Sequence, residues 1–227
     1  FNYAVADAES DDDLIRLGEA ATDHALITGG SGIALGLPAN FRARGLMGDP
    51  AAGRMPRARG RGLVLAGSCS PATRGQIEQA PANWPRCKLD VDSIAEGDDL
   101  SAQLCAWAVE QAGDMPVLLY ASADPDEVRR TQQRYGADAA GAMIEGVFGQ
   151  VAKRLTELGF RRLIVAGGET SGAVVSALGI RSLRIGPEID PGVPWTEVPG
   201  ETPLALALKS GNFGGADFFE KAFAMLA

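Results

Sequence analysis

Between Arg162 and Gly172 the sequence runs R-L-I-V-A-G-G-E-T-S-G, and few folds accommodate that order of residues. Leu163 to Ala166 form an uncharged run, β-branched at its centre, as a strand buried on both faces of a parallel sheet requires. Gly167-Gly168 ends the run and lets the backbone reach φ > 0 or approach a ligand. Thr170 or Ser171 can cap the apolar helix Ala173 to Leu178 that follows. Strand, glycine turn and helix N-terminus in that order direct free N–H groups to one point outside a sheet, where phosphates and other anions bind. Gly-Gly turns also serve packing alone, so the stretch needs support from elsewhere in the chain.

That support comes from two further strand–turn units. Leu63 to Ala66 lead into Gly67-Ser68-Cys69-Ser70-Pro71, where Ser70 caps a helix whose first residue is Pro71. Ser70 is thereby accounted for by capping, whereas Ser68 has no structural duty and can offer its hydroxyl to a ligand. Leu204 to Leu208 lead into Lys209-Ser210-Gly211-Asn212-Phe213-Gly214-Gly215 and a helix from Asp217 to Met225. A lysine that ends a buried strand is poorly placed for stability alone, and a phosphate or carboxylate at the loop accounts for it better than a surface role. In an open parallel sheet the carboxyl ends of the strands share one rim, so these three turns predict a nucleotide site there. Neither G-x-x-x-x-G-K-[ST] nor G-x-G-x-x-G is present, and the absence of the second weighs against an NAD dehydrogenase.

The remaining pattern is also α/β. Tyr3 to Ala6 read as a strand end, Ser10 with Asp11 to Asp13 as a helix start, Ala25 to Thr28 as a strand, and Ile33 to Phe41 as a helix after the turn Gly29 to Gly32. Residues 42–61 lose all period and mark a linker. Lys88 to Val91 suggest a short edge strand, Leu100 to Ala112 a helix, Val117 to Ala121 a strand, and Asp124-Pro125-Asp126-Glu127 a helix start. Met143, Val147, Val151, Leu155 and Leu158 give a helix over Asp138 to Leu158. Ser182 to Ile185 read as a strand and Pro187 to Trp195 as a stiff proline-rich loop. The fold expected is a mostly parallel sheet flanked by helices in three α/β/α layers, after a short β-α-β-α segment.

A net charge of −8 over 227 residues argues against nucleic acid as a partner. No apolar run reaches the roughly 20 residues of a membrane helix. Cys69, Cys87 and Cys105, with His24 the one histidine, cannot build an ordinary zinc site or a nucleophile triad. Reduced thiols fit a cytoplasmic protein. Phe1 stands where an initiator methionine would, and the chain is read as a piece of a longer protein.

V-A-G-G-E-T-S-G-A-V at Val165 to Val174, I-G-P-E-I-D-P-G-V-P-W at Ile185 to Trp195 and A-L-K-S-G-N-F-G at Ala207 to Gly214 resemble signature blocks of the four-carbon acid sugar kinase family. A-G-S-C-S-P-A-T-R-G-Q at Ala66 to Gln76 is similar to the start of that family's nucleotide-binding domain. On this resemblance residues 1–43 are the tail of the family's substrate-binding domain, 44–61 the linker and 62–227 the nucleotide-binding domain.

The resemblance implies ATP-dependent phosphorylation, with Mg2+, of threonate, erythronate or 3-oxo-tetronate, and leaves a homodimer open. In that family the nucleotide contacts map onto a serine of the first turn, Ser68 or Ser70, onto Gly167, Gly168, Glu169 and Thr170 in the second, and onto Gly211 in the third, and Lys209 and Asn212 beside it complete the candidate set. Mg2+ would be held chiefly by phosphate oxygens and water, with Glu169 the nearest carboxylate candidate. The family's substrate contacts and catalytic base belong to an Asp-rich turn that this sequence lacks; Asp11 to Asp13 open a helix and do not replace it. Two other readings remain open at this stage, a nucleotide- or metabolite-binding module without chemistry and a Rossmann-type NAD(P) oxidoreductase.

Overall fold

A computed structural model describes residues 4–48, 53–97, 99–111 and 113–226, which divide into two compact units, Phe1–Ala52 and Gly53–Ala227. In the first, α1 (Asp11–Ala20) starts at a reciprocal capping box between Ser10 and Asp13. A 3-10 turn (Ser31–Leu35) and α2 (Leu37–Ala43) follow. The single helix expected over Ile33 to Phe41 is thus broken at Gly36, whose backbone meets Gly18 of α1: a β-carbon on Gly18 would stand 2.5 Å from the Gly36 Cα. The two strands expected here are also corrected. Ala4 to Ala6 and Ala25 to Thr28 are irregular, with no strand beside them to complete a ladder among the described residues, and Tyr3 lies outside those residues.

The second unit carries one seven-stranded sheet, ordered β2-β3-β1-β4-β7-β6-β5. Its strands are β1 (Arg61–Ala66), β2 (Arg86–Lys88), β3 (Val117–Tyr120), β4 (Phe160–Ala166), β5 (Arg184–Asp190), β6 (Val193–Val198) and β7 (Leu204–Lys209). β2, β3, β1, β4 and β7 run parallel, while β6 and β5 close the sheet antiparallel. Both faces are covered because the central strands bury every position in turn. Leu63, Leu65, Leu163, Val165 and Leu206 pack against α5 (Leu100–Glu110), α7 (Ala137–Glu157) and α8 (Gly168–Ala177). Val64, Ala66, Ile164, Ala205 and Ala207 face α3 (Pro71–Gln79) and α9 (Phe218–Ala224). The three-layer α/β/α architecture read from the sequence is the one observed.

Two local expectations fail for identifiable reasons. The edge strand is Arg86–Lys88 rather than Lys88 to Val91, because Asp90 accepts the Asp92 N–H and starts α4 (Val91–Ala95). The segment from Pro187 to Trp195 is a β-hairpin, not a loop. Its prolines are tolerated because the β5–β6 register shifts on either side of Glu188 and Pro194 precedes the residues of β6 that pair with β7. Gly192 turns the hairpin at φ +80°, and Trp195, fully buried, donates its Nε1–H to the Ala222 carbonyl at 2.9 Å.

Candidate functional site

The turns after β1, β4 and β7 lie side by side, since those strands are neighbours and parallel. Backbone bonds weld them: the Gly67 and Ser68 N–H groups donate to the Ala166 carbonyl at 3.0 and 3.1 Å, and the Gly167 N–H to the Lys209 carbonyl at 2.9 Å. After β1 the chain leaves toward α3 on one face of the sheet, and after β4 toward α8 on the other. The topological switch point of the sheet, where ligands of open α/β folds bind, therefore falls between Gly67 and Gly167.

A cleft of about 700 Å³ opens there. Ser68, Gly167, Gly168, Glu169 and Thr170 line it. The left-handed conformation belongs to Gly167, at φ +136°, and not to Gly168, which is the first residue of α8 and has open space where a β-carbon would project. Neither Thr170 nor Ser171 caps the helix, contrary to the sequence reading. Gly167 occupies the N-cap with no side-chain bond, and Thr170 and Ser171 lie inside the first turn and a half of α8. The α8 N-terminus consequently keeps its N–H groups and its partial positive charge free for an anion. Thr170, almost fully buried, sits against Gly67, whose β-carbon would stand 2.1 Å from its Oγ1.

The first turn separates its two serines by role. Ser70 caps α3 by accepting the Thr73 N–H at 3.2 Å and donates its hydroxyl to the Gly211 carbonyl at 2.6 Å. It does not line the cleft. Ser68 does; its Oγ accepts the Ser70 N–H at 3.2 Å, and its carbonyl is held by the Ser122 hydroxyl at 2.5 Å. Its own hydroxyl proton has no partner among the described residues.

Lys209 corrects the sequence reading most. Strand alternation puts it on the face of Ala205 and Ala207, beneath α3, and only 1% of it is exposed. Its Nζ donates to Thr73 Oγ1 at 2.9 Å and to the Ser210 and Gly211 carbonyls at 3.0 and 3.1 Å. These three protein oxygens can take all three ammonium protons, so the side chain is held beneath the rim. Burial pushes its pKa down to about 8. Gly211 and Asn212 lie outside the cleft lining, yet Gly211 abuts it, since a β-carbon there would stand 2.1 Å from Ser68 Oγ.

The far wall of the cleft was not read from the sequence. α6 (Pro125–Tyr135) presents Arg130, Thr131 and Arg134, α4 presents Asp90 and Asp92, and Leu89, Ala140 and Ile144 supply apolar surface. Arg134 donates to Asp92 Oδ2 at 2.8 Å and the Tyr135 hydroxyl to Asp92 Oδ1 at 2.6 Å, tying the two elements together. The spacing of Arg130 and Arg134 by one helical turn was the available signal. Among the described residues no three His, Cys, Asp or Glu side chains gather to hold a metal ion, the three cysteines are free thiols, and no helix is long and apolar enough to cross a membrane.

An open, mostly parallel sheet with an uncapped helix N-terminus at its switch point defines a nucleotide-binding domain of the α/β class. The family described as "Nucleotide-binding C-terminal domain" matches residues 63–219. The chain is 52% identical over 225 residues to a 3-oxo-tetronate kinase of Pseudomonas fluorescens, covering 99% of this chain and 52% of that one. It is 51% identical over 224 residues to a 3-oxo-tetronate kinase of Burkholderia multivorans, covering 98% and 52%. Among solved structures, a Haemophilus influenzae protein superimposes with a TM-score of 0.77 at 38% identity, covering 100% of this chain and 54% of that one. The chain belongs to the four-carbon acid sugar kinase family. It spans about half the length of the curated relatives it matches.

Proposed function

We propose that residues 62–227 bind ATP with Mg2+ and serve phosphoryl transfer to a four-carbon sugar acid, with 3-oxo-tetronate favoured by the names of the relatives. In this division residues 1–43 belong to the substrate-binding part and 44–61 link the two. One observation carries the reading: Gly67 and Gly167 bring two strand ends together at the switch point, beneath the uncapped N-terminus of α8. The absence of a β-carbon at Gly67 lets Thr170 close against the first turn, and the free backbone N–H groups in the first turn of α8 suit phosphate oxygens. Magnesium arriving with the nucleotide would offset the negative charge that builds in transfer. The residues present suit a metal that arrives with the nucleotide, since they offer isolated carboxylates such as Glu169 rather than a cage. The chain's own groups bind and orient: Ser68 Oγ and Thr170 Oγ1 as hydroxyl contacts, the first turn of α8 as N–H donors, and Leu89, Ala140 and Ile144 as apolar surface for the base.

Transfer needs the acceptor hydroxyl about 3 to 3.5 Å from the γ-phosphorus and in line with the leaving oxygen. The Asp-rich turn that carries the substrate contacts and base in the family has no counterpart in this sequence. This chain alone is therefore expected to bind ATP–Mg and to turn nothing over. Calorimetry with ATP, ADP, NAD and adenosine tests the first part, and ADP release with threonate, erythronate and 3-oxo-tetronate tests the second. Tighter binding of NAD than of ATP would overturn the nucleotide assignment, and tetronate-dependent ADP release by this chain would place the acceptor site within it.

A further inference from the structure

The turn after β7 is built inside out. Five of its carbonyls point into the protein: those of Ser210 and Gly211 to Lys209 Nζ at 3.0 and 3.1 Å, and those of Phe213, Gly214 and Gly215, which share the two protons of Gln76 Nε2 at 3.0 Å. Thr73 and Ser70 add hydroxyl donors to the Gly211 carbonyl at 2.8 and 2.6 Å, and Asp190 fixes the far end by accepting the Gly215 N–H at 2.9 Å. The C=O and N–H of one peptide unit point in opposite directions, so the inward carbonyls of Ser210 and Gly211 turn the Gly211 and Asn212 N–H groups outward. The Gly211 and Asn212 N–H groups have no protein acceptor among the described residues, and both residues are at least partly exposed.

Neither anchor is explained by stability alone. Lys209 is enclosed with neutral oxygens only and takes part in no ion pair among the described residues, although a buried ammonium is costly without an anion nearby. Gln76, 1% exposed, spends its amide nitrogen on the loop while its Oε1 has no partner. An anion seated on the outer side of the loop would offset the positive charge directly beneath it. The cleft reaches this loop through Ser68, against which Gly211 packs.

We propose that Lys209 and Gln76 are positioning residues: by drawing the carbonyls of the 210–215 loop inward, they turn the Gly211 and Asn212 N–H groups outward as a seat for the phosphates of the bound nucleotide. This rests on the nucleotide reading above. Lys209 then serves the phosphates through the loop, without touching them. The two side chains come from different elements, β7 and α3, so the seat forms only when the sheet and α3 are packed.

The test follows amide resonances and affinities of this chain with three probes: ADP, inorganic tripolyphosphate and adenosine. ADP and tripolyphosphate should shift the Gly211 and Asn212 amide signals, and adenosine should leave them in place. Lys209→Met and Gln76→Leu should each weaken ADP and tripolyphosphate about tenfold while adenosine affinity holds. Equal weakening of adenosine and ADP, or unchanged ADP affinity in the folded variants, would overturn the positioning role. Should both variants unfold, the wild-type amides decide. ADP binding that leaves the Gly211 and Asn212 signals unmoved overturns this inference alone, whereas no binding of ADP or tripolyphosphate overturns the nucleotide reading with it.

Discussion

Gly67 and Thr170 approach so closely that a β-carbon on the glycine would stand 2.1 Å from the threonine hydroxyl. The two residues follow neighbouring strands whose chains then leave toward opposite faces of the sheet, so the contact marks the point where the crevice begins. Gly67→Ala should therefore lower stability by about 1 to 3 kcal/mol, as overpacking does elsewhere. Gly168→Ala should be neutral or stabilising by up to about 1 kcal/mol, because it adds a β-carbon in open space at a helical position. Urea denaturation of the two variants checks the contrast, and a larger side chain, Gly168→Val, should weaken ADP while the fold survives.

The two serines of the first turn should separate in the same way. Ser70→Ala removes a helix cap together with a bond to the Gly211 carbonyl, and should cost about 0.5 to 2 kcal/mol of stability. Ser68→Ala, which removes the acceptor of the Ser70 N–H, should cost about 0.5 to 1 kcal/mol of stability and weaken ADP by about 2- to 10-fold, the worth of one hydrogen bond. Parallel thermal melts and calorimetry distinguish the cap from the ligand contact, and a reversed order would exchange the two roles.

Lys209 should write its burial into the pH dependence of stability. Its folded pKa of about 8 lies below the usual 10.5, owing to burial. Between those two values the unfolded chain holds a proton that the folded chain has released, so stability rises with pH across that window and the penalty is present in full below it. The difference in unfolding free energy between the wild type and Lys209→Met should accordingly shift in favour of the wild type by up to about 3 kcal/mol from pH 8 to pH 10.5. Chemical denaturation at several pH values checks this, and parallel curves would refute it. Bound tripolyphosphate should move the window upward, since an anion favours the charged form.

The cleft wall formed by α4 and α6 gives a further test. Arg134→Ala frees Asp92 from its guanidinium partner. The pair is largely exposed, so less than about 1 kcal/mol of stability is at stake. Any larger effect on nucleotide affinity would then report on the cleft, and Arg130→Ala, measured alongside, shows which arginine carries it.

Much of this protein is written locally. The apolar runs at Leu63, Val117, Leu163 and Leu204 could only be strands buried on both faces, and the caps at Ser10, Ser70 and Asp124 set their helices without help from distant residues. The three glycine turns were legible for the same reason, because strand, turn and helix follow one another in the chain. The shared rim then follows from parallel pairing. What the sequence could not decide is where a side chain points once strands are in register. Lys209 ends an apolar strand whichever face it takes, but register with β4 puts it under α3, where Thr73 and two carbonyls occupy its protons. The hairpin through Pro187 and Pro194 was hidden likewise, since shifts in pairing with distant residues let a strand carry prolines. The α6 wall of the cleft escaped because the one-turn spacing of Arg130 and Arg134 announces only a charged helix face, whereas the packing of that helix across the rim is a long-range contact. Local propensity thus settled the central strands, the helices around them and the glycine turns, while packing between distant segments decided the hairpin through Pro187 and Pro194, which groups face the cleft and which lie beneath it.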